Sequence, residues 1–191
     1  AITAVERRIA EMAPSQTAVR GLFTGGTFCY EAQLAFIARG LACRSNAPAA
    51  GAGSFDGRFD GHVFLDLGDD DYTRGRPHPM IDPTQRDALV RAQGADAQTA
   101  VILFDVVLGF GSHDNPAQSL ALALADAQRD ASAQGRTLAL IGHVCGTDDD
   151  PQDKASQMRQ LQAVGAVIAG SNVEAAWLAA HVAAAQAARR R

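Results

Sequence analysis

Two runs, AVILFDVVL at 100–108 and TLALIG at 137–142, place Val, Ile, Leu and Ala at consecutive positions instead of alternating them with polar residues. A strand with one face in water alternates, so runs like these need apolar cover on both sides, which parallel sheets obtain from helices on each face. Three shorter apolar runs accompany them, VRGLFT at 19–24, HVFLDL at 62–67 and AVIA at 166–169, and longer Ala-rich amphipathic segments separate all five. Strand alternating with helix in this way predicts an α/β fold built on a parallel sheet.

The helix starts sharpen that expectation. Asp82-Pro83-Thr84-Gln85, Asn115-Pro116-Ala117-Gln118 and Asp150-Pro151-Gln152-Asp153 each set an Asx cap before a proline at the first helical position. Ser171-Asn172-Val173-Glu174 has the spacing of a capping box. Five βα units then predict a flavodoxin-like, doubly wound domain over 18–188, with a five-stranded parallel sheet and helices on both faces. Residues 1–17 read as a leading helix or linker, and 189–191 as a basic tail suited to the negative end of the last helix. Residues 42–61, rich in Ala, Gly, Ser and Asn, read as an exposed loop.

Composition narrows the partners. The net charge over 191 residues is only -4, and Lys154 is the one lysine among 17 basic residues, so no basic stripe exists to follow a nucleic acid backbone. Cys29, Cys43 and Cys145 are odd in number and lack any CxxC, which argues against a disulfide framework and a structural zinc. A cytoplasmic protein without a dedicated metal is the expectation. No apolar run approaches the roughly 20 residues a membrane span needs, so no membrane partner is expected. The chain opens on Ala1, as a trimmed chain or a piece of a larger one would.

In an open α/β sheet the ligand site lies outside the carboxyl ends of the strands. The segments that follow the five runs are TGGT (24–27), GDDDYTRGRPHPMID (68–82), GFGSHDN (109–115), CGTDDDPQ (145–152) and GSN (170–172), and they hold eight of the 18 Gly, two of the five His and both runs of three consecutive Asp. Gly25 and Gly26 are expected to turn the backbone with positive φ, and Thr27 to cap the next helix, so that Thr24, Gly25, Gly26 and Thr27 form an anion cradle for phosphate. Arg74 and Arg76 suit a carboxylate or phosphate, unless they pair with the aspartates beside them. Gly146 and Thr147 complete the candidate substrate contacts, and Asp70, His78 and His113 are the candidate acid–base groups. Asp66 and Asp105 interrupt apolar strands near their ends, where a hydrogen bond to a neighbouring loop amide is the common outcome. Cys29 reads as a buried small hydrophobe rather than a thiol activated by its helix.

TGGTFCYEA (24–32), LDLGDDDYTRGRPHPMIDP (65–83), LFDVVLGFG (103–111) and GTDDDPQ (146–152) together resemble the carboxyl-terminal part of FdrA-family acyl-CoA synthetases, themselves similar to the α subunit of succinyl-CoA synthetase. The resemblance runs from about Gly21 to Ala176, and GRPHPMIDP is highly specific. It implies two stacked flavodoxin-like ligase domains behind a CoA-binding Rossmann domain, of which this chain looks like the last piece. It also carries a phosphate-binding role onto Gly25, Gly26 and Thr27. The chain departs from the synthetase in one respect: CGTDDDPQDKASQ (145–157) holds no histidine where the synthetase has its phosphohistidine. His143 lies before that loop and does not replace it.

The resemblance therefore implies a domain that handles an acyl phosphate and is incomplete alone. No cofactor is expected to be held firmly, and CoA or Mg²⁺ would be reached through a companion CoA-binding domain or subunit in an oligomer. Some FdrA-like proteins resemble a component of oxamate carbamoyltransferase, which forms carbamoyl phosphate and oxamate from oxalurate in purine breakdown and needs no phosphohistidine. A third reading keeps the fold as a non-catalytic assembly module. A flavin carrier would need aromatic cover, and the only Trp, Trp177, lies in the last helix away from the loops.

Overall fold

Each of the five apolar runs is a strand, and the polar stretch between the first two adds two more. The computed structural model describes residues 1–189, so residues 190 and 191 of the expected basic tail lie outside the described residues. The strands are β1 (Ala18–Phe23), β2 (Cys43–Ser45), β3 (Gly53–Ser54), β4 (His62–Asp66), β5 (Thr99–Val107), β6 (Ala139–Cys145) and β7 (Val167–Ala169). They form a 7-stranded sheet in the order β3-β2-β4-β1-β5-β6-β7, with every neighbouring pair parallel. Taken alone, the five expected strands read 2-1-3-4-5, one of the two common doubly wound orders.

The expectation of five strands and of an exposed loop at 42–61 is thus corrected at one edge. β2 and β3 are 3 and 2 residues long, too short to carry an apolar pattern. Side chains from elsewhere hold this edge. Buried Gln33 donates to Ala47 O and accepts from Ala49 N, while Asn46 pairs both ways with the backbone of Asp66 at 2.9 Å.

The helices are α1 (Ile2–Glu11), α2 (Gly26–Ile37), α3 (Asp70–Thr73), α4 (Thr84–Ala95), α5 (Pro116–Ala133), α6 (Lys154–Ala163) and α7 (Asn172–Ala188). Successive residues of a strand face opposite ways, and the core divides accordingly. Phe23, Leu103 and Ile141 pack under α1, α2 and α7 with Val5, Phe36 and Val182. Leu22, Phe104 and Leu140 pack under α4, α5 and α6 with Val90, Leu124 and Leu161. The leading helix α1 is tied in at two further points. Buried Gln16 donates to Thr99 O and Thr137 O, and Arg189 of the expected tail donates to Ile9 O at 2.6 Å, so this arginine satisfies the carboxyl end of α1.

Two of the four expected helix starts hold: Pro116 opens α5 after Asn115, and Ser171 accepts from Glu174 N. α4 starts one residue late, at Thr84 with Pro83 in the cap position, although Asp82 still accepts from Thr84 N. α6 is later still: it begins at Lys154 with Asp153 as its cap, because Asp153 accepts from Ser156 N while Asp150 is taken by Thr147.

Two packing details lead to measurable expectations. A Cβ at Gly94 would meet the Cβ of Ala127 and lie 2.9 Å from its Cα, so α4 and α5 touch through glycine. Helix propensity favours Gly94→Ala by about 1 kcal/mol, but overpacking against backbone costs about 1–3 kcal/mol. Net destabilisation is expected on urea unfolding, with Ala127→Gly restoring part of it. His62 accepts from Val19 N at 3.2 Å, and burial pushes its pKa down to about 4, with the Arg20 charge adding to the effect. A depressed histidine pKa gives stability that is present above the unfolded value of about 6.5 and lost as pH falls towards 4, here about 3 kcal/mol. His62→Asn, which keeps an acceptor for Val19, should lose that part of the acid sensitivity in unfolding curves compared at pH 7 and pH 4.

Candidate functional site

The parallel register aligns the chemistry at the carboxyl ends. Phe23 of β1 lies opposite Asp66 of β4, Leu22 opposite Phe104 of β5, and Asp105 opposite His143 of β6. β1 then passes through Thr24 and Gly25 directly into α2, at the point between β1 and β5 where the strand order reverses. Crevices at such reversals are where ligands of doubly wound sheets bind.

Both carboxylates reach this turn. Asp105, fully buried, accepts from Thr24 N at 2.7 Å, Thr24 Oγ1 at 3.0 Å and Gly25 N at 2.8 Å. Asp66 accepts from Gly68 N at 2.9 Å with Oδ1. Its Oδ2 lies 2.5 Å from where a Cβ on Gly26 would sit, and a Cβ on Gly25 would lie 3.1 Å from Asp105 Oδ2 and 2.9 Å from the Phe28 ring.

The two glycines therefore serve close approach and not backbone conformation. Gly25 is extended at φ -108, and neither glycine has positive φ, which corrects the expected turn. Thr27 is also not the cap: Gly25 occupies that position without a side-chain bond, and Thr27 sits inside the first turn of α2. Two of the four cradle residues, Thr24 and Gly25, give their N–H groups to Asp105. Among the described residues the amides of Gly26 and Thr27 have no partner and open to solvent.

Burial pushes the Asp66 carboxyl above its usual range, with the Asp69 charge adding, against hydrogen bonds from the following loop and the nearby His78. Burial likewise raises Asp105, opposed chiefly by the Arg86 guanidinium. Arg86 is itself buried and donates to Asp105 O at 3.0 Å, while its Nε lies 3.8 Å from Asp87 with no hydrogen-bond partner. His78 folds back over this floor. Its Nδ1 accepts from Met80 N at 3.2 Å, and its Nε2 rests on Gly68, where a Cβ would collide with it and come within 3.0 Å of Thr24 O. His143, on the α2 side, bonds Ala169 O through Nδ1 at 3.2 Å and meets the edge of Phe28.

A family model described as CoA-ligase matches residues 22–182, which spans this whole arrangement. The chain belongs to the CoA-ligase family. It is also 40% identical over 173 residues to the protein YahF of Escherichia coli (strain K12), a match that covers 89% of this chain and 33% of that relative. The chain thus spans about a third of the length of that relative.

Within this CoA-ligase domain the other expected residues scatter. Asp70 is exposed in the first turn of the short α3, where Asp69 is the cap. Arg74 and Arg76 are exposed, and among the described residues neither forms an ion pair, so the local aspartates do not neutralise them. His113 is half-buried, its ring Nδ1 accepts from Asn115 N and its backbone N–H donates to Met80 O, so it braces the loop that carries His78. Thr147 gives both its N–H and its hydroxyl to Asp150, and Gly146 O accepts from Lys154 Nζ at 2.8 Å. Cys29 is buried beside Ser45 and Gln33, and burial pushes its thiol up to about 12, as a structural cysteine requires.

The expected bond from a strand aspartate to a loop amide is present at both Asp66 and Asp105. Their membership in the site was not legible, because pairing across β4, β1 and β5 creates it. Asn46 and Arg86 carry no local signal at all: one lies in a polar stretch and the other in an ordinary first helical turn.

Asp105→Asn tests the floor of the site. The two carboxylate oxygens each accept from a backbone N–H, and an amide can turn only one oxygen towards them. Thermal and urea unfolding should report a loss of about 2–4 kcal/mol.

Proposed function

We propose that the chain is the ligase-type domain of an acyl-CoA synthetase-like enzyme, and that the amino end of α2 receives phosphate or the phosphoryl group of an acyl phosphate. The observation behind this reading is the pair of unpartnered N–H groups at Gly26 and Thr27, at the open end of a 12-residue helix in a chain of the CoA-ligase family. Helix ends with free amides favour anions.

Magnitudes decide the terms of binding. The helix end contributes about 0.3–1 kcal/mol, whereas one carboxylate at ~4 Å from a phosphoryl charge costs about 4 kcal/mol at an effective dielectric near 20. With Asp66 against Gly26, a phosphate binds well only when that carboxylate is protonated or a cation such as Mg²⁺ lies between them. Burial already raises Asp66 towards the protonated form. His78, beside Asp66 and Gly68, is the residue positioned to exchange a proton with the bound group. Coenzyme A would enter through a companion domain, in keeping with a chain that spans about a third of the length of its relative.

The same site also serves a carbamoyl phosphate, and the unpaired guanidinium groups of Arg74 and Arg76 favour a small acid as the second substrate. Calorimetric titration with phosphate, acetyl phosphate and carbamoyl phosphate, with and without Mg²⁺, tests the reading. Without Mg²⁺, Asp66→Asn should bind about tenfold or more tightly than the wild type, and Gly26→Ala, whose Cβ meets Asp66, should bind least. If no variant binds any phosphate compound with or without the cation, the domain is an assembly module and this reading fails.

A further inference from the structure

The two helical layers are clothed differently. α2 and α7 each carry a single charged residue, Glu31 and Glu174, whereas every other helix carries more than one. A helix that is apolar all round is normally buried on all sides. Here the outer sides are open: Tyr30 and Leu34 of α2 and Val173 and Trp177 of α7 are 42–49% exposed, and each pair is spaced i,i+4 along its helix. These are four of the eight exposed large apolar side chains among the described residues, so the exposure is concentrated and not scattered. The two helices lie side by side, joined by Asn172, which donates to Phe28 O at 3.1 Å and to Glu31 at 2.6 Å, and by Arg39, whose guanidinium stands 4.5 Å from the centre of the Trp177 ring. The four side chains therefore share one face.

Charge indicates what covers that face. Among the described residues Arg39 forms no ion pair, and neither do Glu31 and Glu174, which each use one carboxylate oxygen locally, on Asn172 and on Gly170 N. A free cation beside two free acids makes the face complementary to itself, since a two-fold rotation can set Arg39 of one copy against Glu31 or Glu174 of the other. A membrane contact would call for basic residues around the apolar patch, and this rim is acidic on balance. Size agrees: helices of 12 and 17 residues, about 18 and 26 Å long and each about 10 Å wide, present a footprint of the order that a standard interface takes, about 800 Å² of accessible surface per partner.

We infer that the α2–α7 face binds a second copy of this chain in a two-fold dimer that covers Leu34 and Trp177 and pairs Arg39 with Glu31 or Glu174 of the other copy. The dimer does not depend on α2 receiving a phosphoryl group.

Sedimentation velocity of the whole chain tests this, with the emission of Trp177, the only tryptophan, as a second readout. A dimer is expected at about 100 μM, since interfaces of standard size dissociate in the micromolar range or below. Its emission should move to longer wavelength as dilution separates the copies. Leu34→Asp should raise the dimer Kd at least about tenfold, because a charge replaces buried apolar surface. Arg39→Glu, read by sedimentation, should raise it about tenfold, since a two-fold axis repeats the lost pair. Leu122→Asp, 62% exposed on α5 across the sheet, should leave the dimer unchanged. All three side chains are exposed, so circular dichroism should not change. A wild type that is monomeric at that concentration, a dimer that survives Leu34→Asp or Arg39→Glu, or one that dissociates without moving the Trp177 emission overturns the inference. A monomer whose emission shifts only when phosphatidylcholine vesicles are added would make this a membrane face and overturns it equally.

Discussion

A buried carboxylate fastens the first strand to its neighbour. Asp105 accepts three hydrogen bonds from Thr24 and Gly25, and this sets where β1 ends, at what angle α2 leaves the sheet and which amides remain open. A fully desolvated carboxylate would be prohibitive alone. Here the donors and the guanidinium of Arg86 offset that cost from both sides of the sheet, since Arg86 comes from α4 and the turn leads into α2. The site is therefore part of the core, and its geometry cannot shift without disturbing both layers.

The two glycines follow from the same constraint. The turn is so crowded that a Cβ at Gly26 would strike Asp66, and one at Gly25 would strike the Phe28 ring and press on Asp105. Acidic groups thus sit where an anion would otherwise settle, and Asp150 does the same at Thr147. Three strand ends share this arrangement of aspartate against backbone amide. It keeps the turns rigid and sets more negative charge around the open end of α2 than one helix end offsets.

Much of the fold was legible and less of the site was. The runs 100–108 and 137–142 announced a doubly covered parallel sheet because burial on both faces leaves no room for polar alternation. β2 and β3 escaped because strands of 3 and 2 residues at an edge are held by Gln33 and Asn46, not by their own apolar pattern. At the site, the TGGT turn and His78 were legible as a glycine-rich helix entry and a proline-flanked histidine. Within the cluster of three aspartates Asp69 is the helix cap and Asp70 stands exposed in the first turn of α3, a division of roles that the run of like residues does not show. Positive φ at the glycines misled, since glycine is equally required where a neighbour comes too close.

The sequence by itself determined the class of sheet, the positions of most helices and the edge on which chemistry gathers. These depend on local patterns: apolar continuity, capping residues and the direction of a βα unit. Only the tertiary structure decided which groups meet at that edge. The register across β4, β1, β5 and β6 brought Asp66, Asp105 and His143 to one level, and the fold of the 76–82 loop put His78 over Gly68. Those contacts join residues distant in the chain through pairing and burial, and no local pattern encodes them.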